Sequence, residues 1–244
     1  MPTVAELTAP YGNFLLAPRR GAGVCETCFN LTDGYERCYA CAHGGRWLDV
    51  VVPISYSVAG EQLHHALFAY KRAPEPVATH FRVHLAAVLW RFLSSHERCV
   101  ARAVGAPEFP VVTTVPSNDP AQDAEHPLDG LVGELVKPTR ERFRRLLARS
   151  AQPAEPHRFA VDRYAPTGRL TGEPVLLIDD TWTTGANAQS AAAALKRAGA
   201  GPVAAIVIGR HLNRDWGSND SQLNGLPKPF DWDHCVRCNP PDLR

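Results

Sequence analysis

The sequence predicts an α/β protein, a parallel sheet flanked by helices, with a small cysteine-rich metal module near its N-terminus. Three observations lead there. Segments 109–115, 175–178 and 203–208 read as strands covered on both faces, the pattern of parallel rather than half-exposed sheets. Stretches with apolar residues at helical spacing lie between and before them. Two Cys-x2-Cys knuckles, Cys25/Cys28 and Cys38/Cys41, precede them all. The expected division is an N-terminal segment, 1–48, and an α/β domain, 49–244, ending in a loop-rich tail. With 244 residues, 45% of them hydrophobic, the chain is long enough for one such domain plus the metal module.

In chain order, the knuckles come first. Each offers two thiolates, and Asp33-Gly34 between them suits the tight turn that would bring them together. A tetrahedral four-thiolate Zn2+ site at Cys25, Cys28, Cys38 and Cys41 is the favoured reading, with disulfides as the alternative. His43 and His234 are substitute ligands to consider. Residues 63–72 place Leu63, Ala66, Leu67 and Tyr70 on one helical face and end in Lys71, either an anion contact or a lysine favoured by the helix dipole. Residues 78–94 carry Phe81, Leu85, Val88, Leu89 and Phe92 at helical spacing, with His80 and His84 one turn apart. Cys99 reads as a core residue.

The strand at 109–115 breaks at Thr114-Val115-Pro116-Ser117. Residues 128–136 read as a helix that Lys137-Pro138 interrupts. From Lys137 to Arg149 six basic residues face one Glu141; a solvated helix face with Phe143, Leu146 and Leu147 turned inward is preferred to a phosphate or nucleic-acid patch. Residues 152–157 form a proline-rich connector. The tail from Leu212 onward is rich in Gly, Asn, Asp and Pro, with Trp216, Phe230 and Trp232 as anchors. Within it, Cys235/Cys238 form a third knuckle that could bind a second metal, replace one of the first two, or bind none.

The richest segment is 175–187. Val175 to Ile178 form the strand, Asp179 and Asp180 fall at its carboxyl end, and an alanine-rich helix over 187–198 stops at Gly199. Strand, loop and helix in that order, followed by the strand at 203–208, imply a right-handed parallel crossover. Ligands of such sheets lie at the carboxyl ends of the strands, where Thr114, Asp179 and Arg210 are expected to meet. The amides of Thr183, Thr184, Gly185 and Ala186 then converge at the positive end of the helix dipole, a space suited to a phosphate monoester. Gly185 allows close backbone approach, and the two threonine hydroxyls add donors. Two carboxylates beside a phosphate need a separate task, which vicinal sugar hydroxyls, with Mg2+ nearby, would supply; the bland alternative is that the aspartates cap the next helix.

The run of apolar residues, acidic pair, two residues and Thr-Thr-Gly resembles the 5-phosphoribosyl-1-pyrophosphate (PRPP) motif of type I phosphoribosyltransferases. The resemblance implies that fold, with Asp179 and Asp180 holding the ribose hydroxyls in the catalytic centre and Thr181 to Asn187 wrapping the 5-phosphate. Two positions depart from the usual wording: Thr181 stands where an aliphatic residue is common, and Asn187 where Thr or Ser is. A zinc ribbon in front of such a domain resembles the ComF family, which is linked to DNA uptake in competent bacteria. That resemblance implies a transferase that joins phosphoribose to a nitrogenous acceptor with Mg2+, or an accessory protein that keeps the PRPP pocket and contacts DNA or a DNA-uptake helicase. Thr114 and Ser117 would belong to the pyrophosphate loop. In relatives a basic stretch follows the Val-Pro; here residues 118–127 contain no arginine, so Mg2+, Lys137 or Arg140, or Arg210 and His211 are left to meet the leaving group.

A net charge of +1 argues against a basic nucleic-acid binder over the whole chain. No apolar stretch reaches the ~20 residues that span a bilayer, and no secretory n- and h-region is visible, so the expected compartment is the cytoplasm.

Overall fold

The computed structural model describes residues 2–117, 126–152 and 154–238. At its centre are four parallel strands in the order β1-β6-β5-β2. They are β1 (Val50–Val58), β2 (Val111–Thr114), β5 (Val175–Trp182) and β6 (Val203–Leu212). A two-stranded antiparallel ribbon, β3 (Leu147–Arg149) with β4 (Tyr164–Pro166), lies apart from it. Two short helices, α1 (Val4–Thr8) and α2 (Tyr39–His43), belong to the N-terminal segment. The α/β class, with a parallel sheet flanked by helices and a cluster of four cysteines near the N-terminus, is therefore present.

Alternation along the central strands decides what each face meets. Leu176, Ile178, Ala204, Ile206 and Ile208 share one buried cluster with Leu63, Leu67, Leu85, Leu89 and Phe92. Those last residues belong to helices α3 (Gln62–Arg72) and α4 (Val77–Ala103). Val175, Leu177, Val203, Ala205 and Val207 turn to the other cluster, where Ala188, Ala191, Ala192 and Ala194 meet them. These alanines come from the helix Ala186–Arg197, and so small a side chain lets helix and sheet backbones pack closely. The same cluster contains Cys25, Cys28, Cys38 and Cys41, so the cysteine module is packed into the core of the sheet's second face.

β1 has no counterpart in the sequence expectations, because Pro53, Ser55 and Ser57 interrupt its apolar run. The structure accounts for the first two of these. β1 is an edge of the sheet, where a proline need not donate to a ladder on both sides. Ser55 and Ser57 are buried; Ser55 Oγ accepts from the Leu16 amide at 2.9 Å and donates to the Leu16 carbonyl at 3.2 Å. The N-terminal segment thus covers the edge, with Leu16 bridging Tyr56 antiparallel.

Helix α4 runs well beyond the predicted end at 94. Its buried stripe continues through His96 and Val100, at four-residue spacing, although Ser94, Ser95 and Glu97 dilute the apolar signal. The basic segment 137–149 is not one helix. Lys137–Arg140 is a single helical turn; beyond it the chain extends, and the Arg142 carbonyl and Arg144 amide bond to the amide and carbonyl of Val112, at 3.0 and 2.9 Å. That pairing satisfies the outer edge of β2, a gain a continued helix would forfeit. Arg142 also forms a fork with Glu97 and donates to the Phe109 carbonyl, so it is a structural bridge rather than part of a free basic face. Leu146 and Leu147 do turn inward. The helix expected over 128–136 is present over 127–135, in two pieces, Pro127–Gly130 and a wider π turn at Leu131–Leu135, and Val136 is extended. No helix among the described residues is long and apolar enough to cross a membrane.

Candidate functional site

The alternation that builds the sheet also separates the two aspartates. Asp180 follows the parity of Leu176 and Ile178 and so faces α3, where it accepts from the Tyr70 hydroxyl at 2.8 Å and pairs with Lys71 Nζ at 2.5 Å. Asp179 points the other way and accepts the Asp180 amide at 2.9 Å. Lys71, in the last turn of α3, is thus paired with a carboxylate of the motif itself.

Both carboxyls are buried, 9% and 5% exposed, so they cannot both carry charge cheaply. Burial, then the neighbouring Asp180 charge, pushes the Asp179 carboxyl upward. Burial pushes Asp180 the same way, but Lys71 and the Tyr70 hydroxyl together outweigh it and hold its carboxyl below the usual range. Tyr70, buried and beside Asp180, is pushed well up and stays a hydrogen donor. The pair therefore behaves as one ionised carboxylate with a built-in counter-ion and one carboxyl inclined to keep its proton.

Beyond Trp182 the chain turns into the helix Ala186–Arg197. Gly185 is its N-cap at φ 81°, a left-handed conformation that suits glycine. A Cβ there would be driven into the indole of Trp182, itself only 2% exposed. Thr184 donates to the His157 carbonyl at 3.1 Å, and the Ala186 amide is directed at Thr184 Oγ1, 3.3 Å away. That amide, expected to face an anion, is thus used locally; the loop's convergence on a helix N-terminus remains.

A cavity of about 270 Å³ opens over these residues. Its walls include Asp179, Asp180, Thr181, Thr183, Thr184, Gly185, Ala186 and Asn187, all from the segment singled out in the sequence, together with Ser117. Thr114 does not line it: its hydroxyl is committed to Asp129. Lys137, Arg140, Arg210 and His211 are also absent from its walls. Arg210 is buried elsewhere and donates to the carbonyls of Trp182 and His211. The cations at the rim are Lys71 and Arg72 instead, from the end of α3. The arginine-free stretch 118–125 lies outside the described residues.

Two histidines that sequence reasoning passed over also line the cavity. His126 is 6% exposed, with Nδ1 3.6 Å from Asp129 Oδ1. His157 sits at φ 60° in the segment expected to be a plain connector. That segment is folded back: the Ala160 amide donates to Ser190 Oγ, and Arg163 donates to the carbonyls of Glu155 and Arg158. Only the fold brings 157 to 184, so no local pattern could have shown it. A larger cavity, about 740 Å³, lies between the cysteine module and the helix Ala186–Arg197 and shares His157, Thr184, Gly185 and Ala186 with the first.

The four N-terminal cysteines converge as their spacing predicts. Their sulfurs lie within 4.8 Å of one another, all four residues are buried, and Cys28 and Cys38 Sγ are 3.7 Å apart. A tetrahedron with Zn–S bonds near 2.3 Å has edges of about 3.8 Å, so the donor set and spacing can hold zinc. Sulfhydryl bonds from Cys28, Cys38 and Cys41 push the Cys25 thiol down, while Cys38 and Cys41 are pushed up. The module is moored by Tyr56, whose hydroxyl donates to the Phe29 carbonyl at 2.8 Å. A second group, His96, Cys99, Cys235 and Cys238, has the same compactness. Cys99 is therefore not a solitary core residue. His43 and His234, considered as ligands, stand in neither group: their Nδ1 atoms face the Tyr39 carbonyl and Asp231.

No family model and no curated protein matches the chain.

Proposed function

We propose that the cavity over Asp179 and Asp180 binds PRPP and that the protein transfers its phosphoribosyl group to a nitrogen nucleophile, with release of pyrophosphate. One observation carries the reading: a single small cavity unites a buried carboxyl pair at a strand's carboxyl end with a threonine-glycine loop at a helix N-terminus. In this reading the loop from Thr183 to Asn187 holds the 5-phosphate and the carboxyls accept the ribose hydroxyls. Charge that develops on the ribosyl carbon in the transition state would be stabilised by Asp180, kept ionised by Lys71. Ser117 and the rim cations Lys71 and Arg72 would meet the pyrophosphate.

Mg2+ fits this site with few protein ligands. Asp180 is already committed to Lys71 and Tyr70, so Asp179, on giving up the proton that burial favours, would hold the ion together with the oxygens of the ligand. When bound, it would neutralise charge on the leaving pyrophosphate. Zn2+ in the Cys25, Cys28, Cys38 and Cys41 cluster would be structural, since its four thiolates leave no open position.

A second reading keeps the pocket without the reaction: a PRPP or nucleotide sensor, or a DNA-uptake accessory of the ComF type acting with DNA or a helicase. Residues 118–125, which hold no arginine or lysine, favour it. Two measurements separate these. Titration calorimetry with PRPP and Mg2+ is expected to give binding that Asp179→Asn with Asp180→Asn abolishes; undiminished affinity in the double variant would refute the site. Pyrophosphate release over a panel of bases and amines supports the transferase, and binding without release supports the sensor.

A further inference from the structure

We infer that His96, Cys99, Cys235 and Cys238 form a second zinc site, a tetrahedron of three thiolates and one imidazole that fastens the C-terminal tail to helix α4. Their ligand atoms all lie within 4.8 Å of one another. Cys238 Sγ is 3.4 Å from Cys235 Sγ, 3.6 Å from Cys99 Sγ and 3.3 Å from His96 Nδ1. Tetrahedral zinc with Zn–S near 2.3 Å and Zn–N near 2.0–2.1 Å sets these edges at about 3.8 Å and about 3.5 Å. A disulfide needs about 2.05 Å, which none of these cysteines shows; all are free thiols.

The surroundings are prepared for a metal. His96 and Cys99 are three residues apart on α4, so both look off the same face. His96 Nε2 lies 2.9 Å from the Trp232 carbonyl. Only a protonated Nε2 bonds there, and that tautomer leaves the Nδ1 lone pair aimed at Cys238, the arrangement metal-bound histidines use. The histidine is 2% exposed, so it is held inside the cluster rather than at the surface. N–H groups point at the sulfurs: the Arg237 amide donates to Cys235 Sγ at 3.3 Å, the Cys235 amide to Cys238 Sγ at 3.2 Å, and the Arg102 guanidinium approaches Cys99 Sγ at 3.8 Å. Such donors offset the negative charge that three thiolates leave on a divalent ion. Soft thiolate donors with one imidazole select zinc over a hard cation.

The site has a structural consequence. The tail crosses α4 where Trp232 stacks on Arg91, 4.4 Å from its guanidinium, and the knuckle that follows places Arg237 over the Phe29 ring in the cysteine module. Arg237 also lines the 740 Å³ cavity. Zinc at this point would therefore tie α4, the tail and one wall of that cavity together, independently of what the cavity over Asp179 binds.

The test is metal content of the full chain purified under reducing conditions, with X-ray absorption at the zinc edge. Two zinc equivalents are expected for the wild type, and one for Cys235→Ser with Cys238→Ser. One equivalent in the wild type, or two in the variant, would overturn the assignment. Should the variant fail to fold, the wild-type absorption spectrum decides alone: a shell of sulfur with a nitrogen contribution supports the site, and a sulfur-only shell sinks it. A Cys99–Cys238 or Cys235–Cys238 disulfide found by mass spectrometry in freshly reduced, metal-replete protein would also overturn it.

Discussion

Replacing Lys71 by Met removes the counter-ion of Asp180 while keeping most of the side-chain volume. The Lys71 side chain is 28% exposed and that of Asp180 only 7%, so the pair lies between the two limits known for ion pairs. Breaking a fully buried pair costs about 3–5 kcal/mol and an exposed one about 0–1 kcal/mol. Tyr70 still donates to Asp180, which holds the loss near the middle, about 2–3 kcal/mol. For a chain of this size that corresponds to a fall in Tm of roughly 4–12 °C. Urea denaturation of the wild type, Lys71→Met, Asp180→Asn and the double variant gives the coupling directly. A coupling of at least about 1.5 kcal/mol is expected, with the double variant no less stable than Lys71→Met alone. The effect has a pH signature. Lys71 helps hold the Asp180 pKa down, so its contribution is present above the unfolded aspartate pKa, about 3.9, and fades as pH falls through the lower folded value. A coupling under about 0.5 kcal/mol at neutral pH, or one that grows on acidification, would refute the counter-ion assignment.

Two further outcomes follow from the same geometry. Gly185→Ala combines a left-handed φ, which costs a residue with a Cβ about 1–2 kcal/mol, with a clash against Trp182 worth about 1–3 kcal/mol more; calorimetric unfolding should show a loss of about 2–5 kcal/mol, and a change under about 0.5 kcal/mol would show that the loop relaxes freely. Asp179→Asn should stabilise the ligand-free protein relative to wild type at neutral and alkaline pH and not in acid. The raised Asp179 pKa means that wild-type stability is lost as pH climbs from the unfolded aspartate value to the folded one, a loss asparagine does not suffer; parallel Tm profiles of the two proteins from pH 4 to pH 9 would count against it.

Much of the site was legible because its residues are neighbours in the chain. The run from Val175 to Asn187 carries strand, acidic pair, turn and helix start within one segment, and short-range rules of periodicity, capping and glycine conformation act at that distance. The Cys25, Cys28, Cys38 and Cys41 cluster was legible for the same reason. What failed was contributed from afar. β1 hid behind Pro53, Ser55 and Ser57; the proline is tolerated at an edge position, and Ser55 is paired with Leu16. Thr114 looked available but is held by Asp129, and Arg210, on a strand end as expected, is turned to the carbonyls of Trp182 and His211.

By itself the sequence determined the class of fold, the acidic pair with its loop, and the first cysteine cluster, since each follows from residue type at fixed local spacing. Tertiary structure alone decided the partners: Tyr70 and Lys71 on Asp180, His157 at Thr184, and His96 and Cys99 opposite Cys235 and Cys238. The physical reason is that burial and charge pairing are set by groups distant in the chain. Two adjacent aspartates read alike in sequence, and only the sheet's alternation, which turns one toward a lysine and the other away, makes them chemically different.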